Sequence, residues 1–469
     1  MSLTRQIAQN TTIQLTGKAV SVLLGLLAVA ILGRALGAEK FGWYVTAAGF
    51  LQFIGILCDF GFTVTTASML AEPTYDKNKL LNVLFSWRFA TALVLQGLSP
   101  FLIFFFPYPW EIKLAVLVMA LSFICVSLNN IFIGWCQNQL KIKIQALGEV
   151  IGRLVLVIGL FLLFRAHAGF LPMMLVITIS SVVYTAYLWL NAPKVKFDFD
   201  GAISKTLFAK IWPLAVAIMF NTIYLQGDRL LLPLYTGQVE VGFYGAAYRV
   251  LDIAAQAIFL TMGIMLPLIA YAWSRGLFEE FKKRFQMSID LVLVIVTPMV
   301  AGILALAPPI MRLIAGAEFS QAGPVLRLLS IAILGICYGS VSGSIAIALG
   351  RQRQLMKITI IDALLSLAGY LIFIPRYGVW GAAGVTIFSE FFAGIALTIV
   401  ISRHAGYRPK IKNAVKIFFA SALMGLLVLS IQPLNIFLSI LIGAAVYAIL
   451  VWALKIISKQ TISDVLLRE

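Results

Sequence analysis

The sequence predicts an all-α polytopic membrane protein. About fourteen transmembrane helices form two six-helix lobes in parallel repeat, followed by two further helices. Three observations predict this. Of 469 residues, 61% are hydrophobic and only 12% are charged, whereas soluble domains run near 25% charged. Apolar runs of the roughly 20 residues that a spanning helix needs recur from end to end. Finally, "GAEKFGWYVTAA" from Gly37 returns as "GQVEVGFYGAAY" from Gly237. In that pair Gly37 matches Gly237, Gly42 matches Gly242, and Tyr44 matches Tyr244. The alternating pattern of a membrane β-barrel is absent.

The spans are expected near 11–33, 42–70, 80–106, 112–136, 144–164, 169–190, 207–233, 241–271, 287–306, 323–349, 355–374, 379–402, 413–431 and 436–457. The first run contains "AVA" at Ala28–Ala30, but it continues apolar beyond it, so an uncleaved first span is expected. Several runs exceed the bilayer's thickness and imply tilt. An even count places both termini on one side. Loops on that side carry 24 of the 36 basic residues, and opposite loops carry 6. The positive-inside rule makes the richer side, with both termini, cytoplasmic. The net charge of +17 therefore reports topology and contact with anionic lipid headgroups, not nucleic acid.

The repeated stretches open spans two and eight. Spans one and seven run the same way, which makes the repeat parallel. The expected organisation is an amino-terminal lobe over 1–190 and a polar cytoplasmic linker over 191–206. A second lobe covers 207–402, and two additional helices with a cytoplasmic tail cover 403–469. Gly42 and Gly242 would let helices approach closely at the outer rim. Tyr44 and Tyr244 would sit at headgroup depth.

The pieces "GRALGAEKFGWY", "CDFGF", "GDRLLLPLYTGQVEVGFYGAAYRV", "GAEFSQAGPVLRLL", "ALGRQRQ" and "PRYGVWGAAGV" follow one another over spans one to twelve. In this order the chain resembles the polysaccharide (O-antigen type) flippases of the multidrug/oligosaccharidyl-lipid/polysaccharide flippase superfamily. The resemblance implies two lobes around a central cavity. It also implies transfer of polyprenyl-diphosphate-linked oligosaccharide from the inner to the outer leaflet, for cell-surface polysaccharide synthesis. The implied partners are that lipid-linked oligosaccharide, membrane lipids and other polysaccharide-assembly proteins. The implied location is the cell membrane.

Ionisable groups at bilayer depth are expensive and normally face an interior or a wet cavity. The basic set is Lys18, Arg88, Arg153, Arg229, Arg249 and Arg327. The first five are candidates to bind the substrate's diphosphate, because a guanidinium fork matches phosphate oxygens. Against this stands pairing: Glu149 and Arg153 are four residues apart, and Arg249 and Asp252 three. Arg88 has no acid nearby in its own span. Related lipid II flippases place a cavity arginine in the eighth span, where "AAYRVLD" supplies Arg249. Their second-span arginine has no counterpart in "AAGFLQFIGIL".

The acids Asp228, Asp362 and Glu390 fall in spans seven, eleven and twelve. In some relatives those spans hold sodium, so the three are candidates for a coupling ion, Na+ or H+. No other cofactor is implied. Asp59 is expected to brace the second span against the first, and Asp290 is expected at the interface.

No catalytic set is present, and no Gly-x4-Gly-Lys-Ser/Thr phosphate loop. The four cysteines lack metal or redox spacing. "FEEFKKRF" from Phe278 reads as an amphipathic surface helix. Two other functions compete. A cation-coupled multidrug exporter would keep an acidic, aromatic cavity. A membrane glycosyltransferase or polymerase would need a large outer loop, and none is predicted.

Overall fold

The computed structural model describes residues 3–72, 75–431 and 434–456. Arg5, Lys459 and Arg468 are three of the 24 basic residues expected on the cytoplasmic side; the Arg5 side chain and the tail with Lys459 and Arg468 lie outside the described residues. The described residues are 89% helical and include no strand. The helices are α1 (Leu3–Asp59), α2 (Phe62–Ala71), α3 (Lys77–Leu102), α4 (Trp110–Asn138), α5 (Ile142–Arg165), α6 (Phe170–Asn191) and α7 (Gly201–Tyr235). They continue with α8 (Gln238–Ser274), α9 (Phe278–Ala315), α10 (Gly323–Ala348), α11 (Gln352–Ala405), α12 (Lys412–Ser430) and α13 (Ile436–Ala453).

Of these helices, α11 contains two expected spans, and α1 contains the first and most of the second. In α1 the backbone turns at Gly37, with φ 69° and ψ 178°. In α11 it turns at Gly378, with φ 54° and ψ −130°. Both glycines lie between expected spans, and a positive φ suits glycine because no Cβ meets the following carbonyl. The second expected span, by contrast, is interrupted. Phe60 (φ 36°) and Gly61 (φ 90°) separate α1 from α2. With α1 and α11 divided at their kinks and α2 read as the rest of span two, the described residues form fourteen membrane rods.

The chain divides into two compact units: residues 1–242 with 314–316, and residues 243–313 with 317–469. This division falls within α8, and α7 groups with the first unit.

In the first unit, α2, α3, α4, α6 and the start of α7 share a buried core that includes Met69, Leu84, Phe85, Phe132 and Leu207. The segment between α6 and α7 is pinned to α3. Lys196 N donates to Asn82 Oδ1 at 2.9 Å, and Asp198 N donates to Ser86 Oγ at 2.8 Å. Phe197 packs against Phe85 and Phe89. Asp200 then caps α7, accepting from the N–H groups of Ala202 and Ile203. Lys79 Nζ lies 2.6 Å from the same carboxylate. The expected linker is therefore bonded along much of its length.

In the second unit, α10 and α11 meet backbone to backbone. A Cβ on Gly394 would stand 2.9 Å from the Gly335 oxygen. The last two helices dock onto α9. Met424 and Val428 pack on Ala305 and Leu306, and Tyr447 Oη donates to Val294 O at 2.9 Å.

Candidate functional site

The interruption at Phe60–Gly61 ends a helix inside an apolar bundle. The carbonyls of a last helical turn have no partner within the helix, and lipid offers none. Here an arginine supplies one. Arg88 Nη1 donates to Cys58 O at 3.2 Å, and its Nε donates to Ser127 O on α4 at 3.1 Å. Its Nη2 lies 2.7 Å from Asp59 Oδ1. The Phe62 ring faces the guanidinium, 5.6 Å from centroid to carbon. Thr63 Oγ1 donates to the same Asp59 oxygen. Arg88 is 1% exposed. Its acid thus comes from α1 across the helix break. The second span is braced against the third, not the first, which corrects the expectation for Asp59. Arg88 spends its fork on protein groups.

The pair forms one wall of a cavity of about 430 Å³ within the first unit. Ile56, Phe123, Val126, Ile218 and Leu225 supply its apolar surface, and polar side chains stand among them. Four carboxamides face it: Gln52 of α1, Asn130 of α4, and Asn221 and Gln226 of α7. Three hydroxyls, from Thr63, Ser127 and Thr222, join them. The charged groups in it are Asp59 and Arg88, which neutralise each other. Such a lining offers paired donors and acceptors with no net charge. That matches the hydroxyls of a sugar better than a bare cation or anion.

The other basic candidates are placed as follows. Lys18 pairs with Glu149 across α1 and α5 at 3.5 Å, with its side chain half exposed. The glutamate therefore reaches Lys18, which the sequence spacing with Arg153 did not indicate. Arg153 lies beside Gly25, where a Cβ would stand 3.7 Å from its Nη1. The Arg229 backbone N–H donates to Asp228 Oδ1 at 2.8 Å. Arg249 and Asp252 form the i,i+3 pair that the spacing permitted, loosely, at 3.8 Å and with both side chains about two-fifths exposed.

Of the acidic candidates, Asp228 is fully buried in the first unit. Asp362 is fully buried in the second. Asp362 Oδ1 accepts from Ser389 at 3.0 Å and from Ser366 at 3.5 Å, while its Oδ2 has no hydrogen-bond partner. Glu390 is nearly buried on α11, against Gly335. Among the described residues, no three His, Cys, Asp or Glu side chains gather closely enough to hold a metal ion.

Gly42 and Gly242 allow backbones to touch. A Cβ on Gly42 would lie 1.8 Å from Gln238 O, and one on Gly242 would lie 2.2 Å from Ala38 O. Gly37 supplies the kink, and Gly237 has open space around it. Thr46 Oγ1 adds a 2.8 Å bond to Gln238 Oε1. Tyr44 is partly exposed, but Tyr244 is 1% exposed. It packs on Tyr248, and its hydroxyl lies 3.4 Å from Thr386, which Tyr370 also approaches. Tyr244 therefore faces the interior of the second unit, with Thr386 beside its hydroxyl.

The carboxamides carry no charge and are not marked by the in-span ionisable residues. The signal was present as amides inside apolar runs, in "LNNIF" and "FNTIYLQGD". Each amide alone resembles an interhelical bond. Their convergence on one cavity needs the tertiary fold.

Comparison with known proteins places the chain. Residues 7–273 match the model of a family described as polysaccharide biosynthesis protein, and residues 213–371 match the MatE model. The chain is 23% identical to the succinoglycan biosynthesis transport protein ExoT of Rhizobium meliloti, over 66% of this chain and 62% of that protein. It thus spans less than two thirds of that relative's length. Among solved structures, the lipid II flippase MurJ in an inward closed conformation superposes with a TM-score of 0.79 at 17% identity, covering 94% of this chain and 98% of that one. An inward-facing multidrug resistance transporter of the MATE family superposes with a TM-score of 0.68 at 15% identity, covering 84% and 98%.

Proposed function

This chain belongs to the polysaccharide biosynthesis protein family, and we propose that it is a flippase for polyprenyl-diphosphate-linked oligosaccharide. It would move the glycan from the inner to the outer leaflet by alternating access, with both termini cytoplasmic. The observation that carries this reading is the net-neutral cavity into which Gln52, Asn130, Asn221 and Gln226 bring carboxamides among apolar side chains. An uncharged sugar has to shed water to cross a bilayer, and each lost hydrogen bond needs a replacement. Carboxamides and hydroxyls provide such replacements, donors and acceptors both, and add no net charge.

The basic candidates divide by role in this reading. Arg249, two-fifths exposed and only loosely held by Asp252, meets the diphosphate. Arg88 shapes the sugar cavity through Asp59. Lys18, Arg153 and Arg229 complete the positive set. The second reading, a multidrug exporter, draws on the likeness to the MATE fold, but a net-neutral amide cavity is a poor receptor for organic cations. Coupling to Na+ or H+ belongs to the proposal too, with Asp228, Asp362 and Glu390 as its acids. The open Oδ2 of Asp362 is the group best able to take up a cation.

The test is export of a lipid-linked oligosaccharide by Asn221→Leu and Asn130→Leu variants, normalised to inserted protein. Each should lose about tenfold or more, by loss of one to two hydrogen bonds to the moving sugar. Unchanged export in both would remove the cavity from the transport path.

A further inference from the structure

A second cavity, of about 680 Å³, lies in the second unit. It sits at the start of α9, the turn before α12 and the end of α13. We propose that it is a binding site for the headgroup of an anionic phospholipid of the cytoplasmic leaflet. The proposal is independent of the transport reading.

The charge of the site comes first. Four lysines line it: Lys282, Lys283, Lys410 and Lys455. Two acids accompany them, Glu279 and Asp290. Glu279 is held by Lys282 at 2.7 Å. Asp290 accepts from Gln286 at 2.9 Å and from Asn413 at 2.7 Å. Lys410 and Lys455 are exposed, and neither has a carboxylate partner among the described residues. The site thus carries excess positive charge on side chains directed to solvent.

The scaffold of the site is built, not incidental. Gln286 bonds across to the turn before α12. Its Oε1 accepts from Lys410 N at 2.7 Å and from Tyr407 Oη at 2.9 Å, and its Nε2 donates to Lys410 O at 3.1 Å. Lys416 Nζ donates to Leu454 O at 2.8 Å and ties α12 to the end of α13. These bonds fix the backbone that presents Lys410 and Lys455.

The floor is apolar. Met287, Leu291, Val294 and Ile456 line it. A free inorganic anion has no use for such a floor, and the volume far exceeds that of one phosphate. A cationic rim over an aliphatic floor fits an amphiphile with a phosphate head and acyl chains. The location agrees: these lysines flank the ends of apolar spans on the side that basic residues mark as cytoplasmic. Basic pockets between helices on that face hold anionic headgroups.

The test uses the full chain in a neutral detergent and counts bound lipid by native mass spectrometry. The probes are phosphatidylglycerol, phosphatidylcholine of the same chain length, and inorganic phosphate as competitor. One phosphatidylglycerol should bind saturably and phosphatidylcholine should not. The double variant Lys410→Gln, Lys455→Gln alters exposed side chains and should weaken binding about thirtyfold, from the usual contribution of each lysine beside an anionic surface. Lys410→Arg with Lys455→Arg should retain it. Wild-type affinity in the glutamine variant, or equal binding of both lipids, would overturn the proposal. Displacement of the lipid by inorganic phosphate would also overturn it, by identifying a soluble phosphate compound as the ligand.

Discussion

Arg88 Nη2 lies 2.7 Å from Asp59 Oδ1, joining the middle of α3 to the last residue of α1. The same guanidinium satisfies a helix-end carbonyl at Cys58. Removing one member of a buried ion pair strands the other, typically at 3–5 kcal/mol. Asp59 keeps about a fifth of its side chain accessible, so the cost of Arg88→Met should be near the lower end, about 3 kcal/mol. Asp59→Asn should cost less, because the amide still accepts from Arg88. Thermal unfolding in detergent checks the order. Equal stability of Arg88→Met and wild type would remove the arginine's capping role.

Gly42 makes a sharper steric prediction. A methyl group there would lie 1.8 Å from Gln238 O, which is backbone and cannot swing aside. Gly42→Ala should therefore destabilise by about 1–3 kcal/mol through overpacking. Gly237→Ala should be nearly neutral, since nothing lies within 4 Å of that position. Melting temperatures of the two variants compare the sites directly.

Asp200 gives a pH dependence. The Ile203 N–H, and after it Lys79, hold its carboxyl below the ordinary carboxylate value of 3.8. A carboxylate lowered in the folded state adds stability that is present above its unfolded value. That stability is lost as pH falls through the folded value. The stability gap between wild type and Asp200→Asn should thus be constant from neutral pH down to about pH 5 and close below about pH 4. A gap that persists unchanged at pH 3 would contradict the charge-based account of the cap.

Topology is tested by reporter fusions. Fusions after Lys79 and Arg353 should read cytoplasmic, and fusions near Glu111 and Glu318 should read external. Reversal at two of these sites would invert the membrane orientation.

Much of the fold was legible because hydropathy and glycine act locally. The gaps left between expected spans at residues 34–41 and 375–378 contain the kinks at Gly37 and Gly378. The small-residue contact of Gly42 with the start of α8 could be read from the repeat. The break at Phe60–Gly61 was not read, because "CDFGF" sits within one unbroken apolar run. Hydropathy cannot show where a helix ends if both sides are apolar. The charge partners were the least legible. Spacing along one helix found Arg249–Asp252. It could not find Lys18–Glu149 or Arg88–Asp59, which join different helices. The burial of Tyr244 is not legible either, because its Thr386 neighbour lies 142 residues away.

The cargo proposed for this chain is a lipid-linked glycan. The most direct measurement is transbilayer movement of a polyprenyl-diphosphate-linked oligosaccharide in proteoliposomes of the purified protein, with an organic cation assayed in parallel. The expected result is movement of the glycan lipid, its loss in Arg249→Ala, partial recovery in Arg249→Lys, and no transport of the cation. The lysine recovers only part because a point charge lacks the planar fork. Cation transport without glycan-lipid movement, or full movement in Arg249→Ala alongside loss in Asp252→Ala, would contradict it.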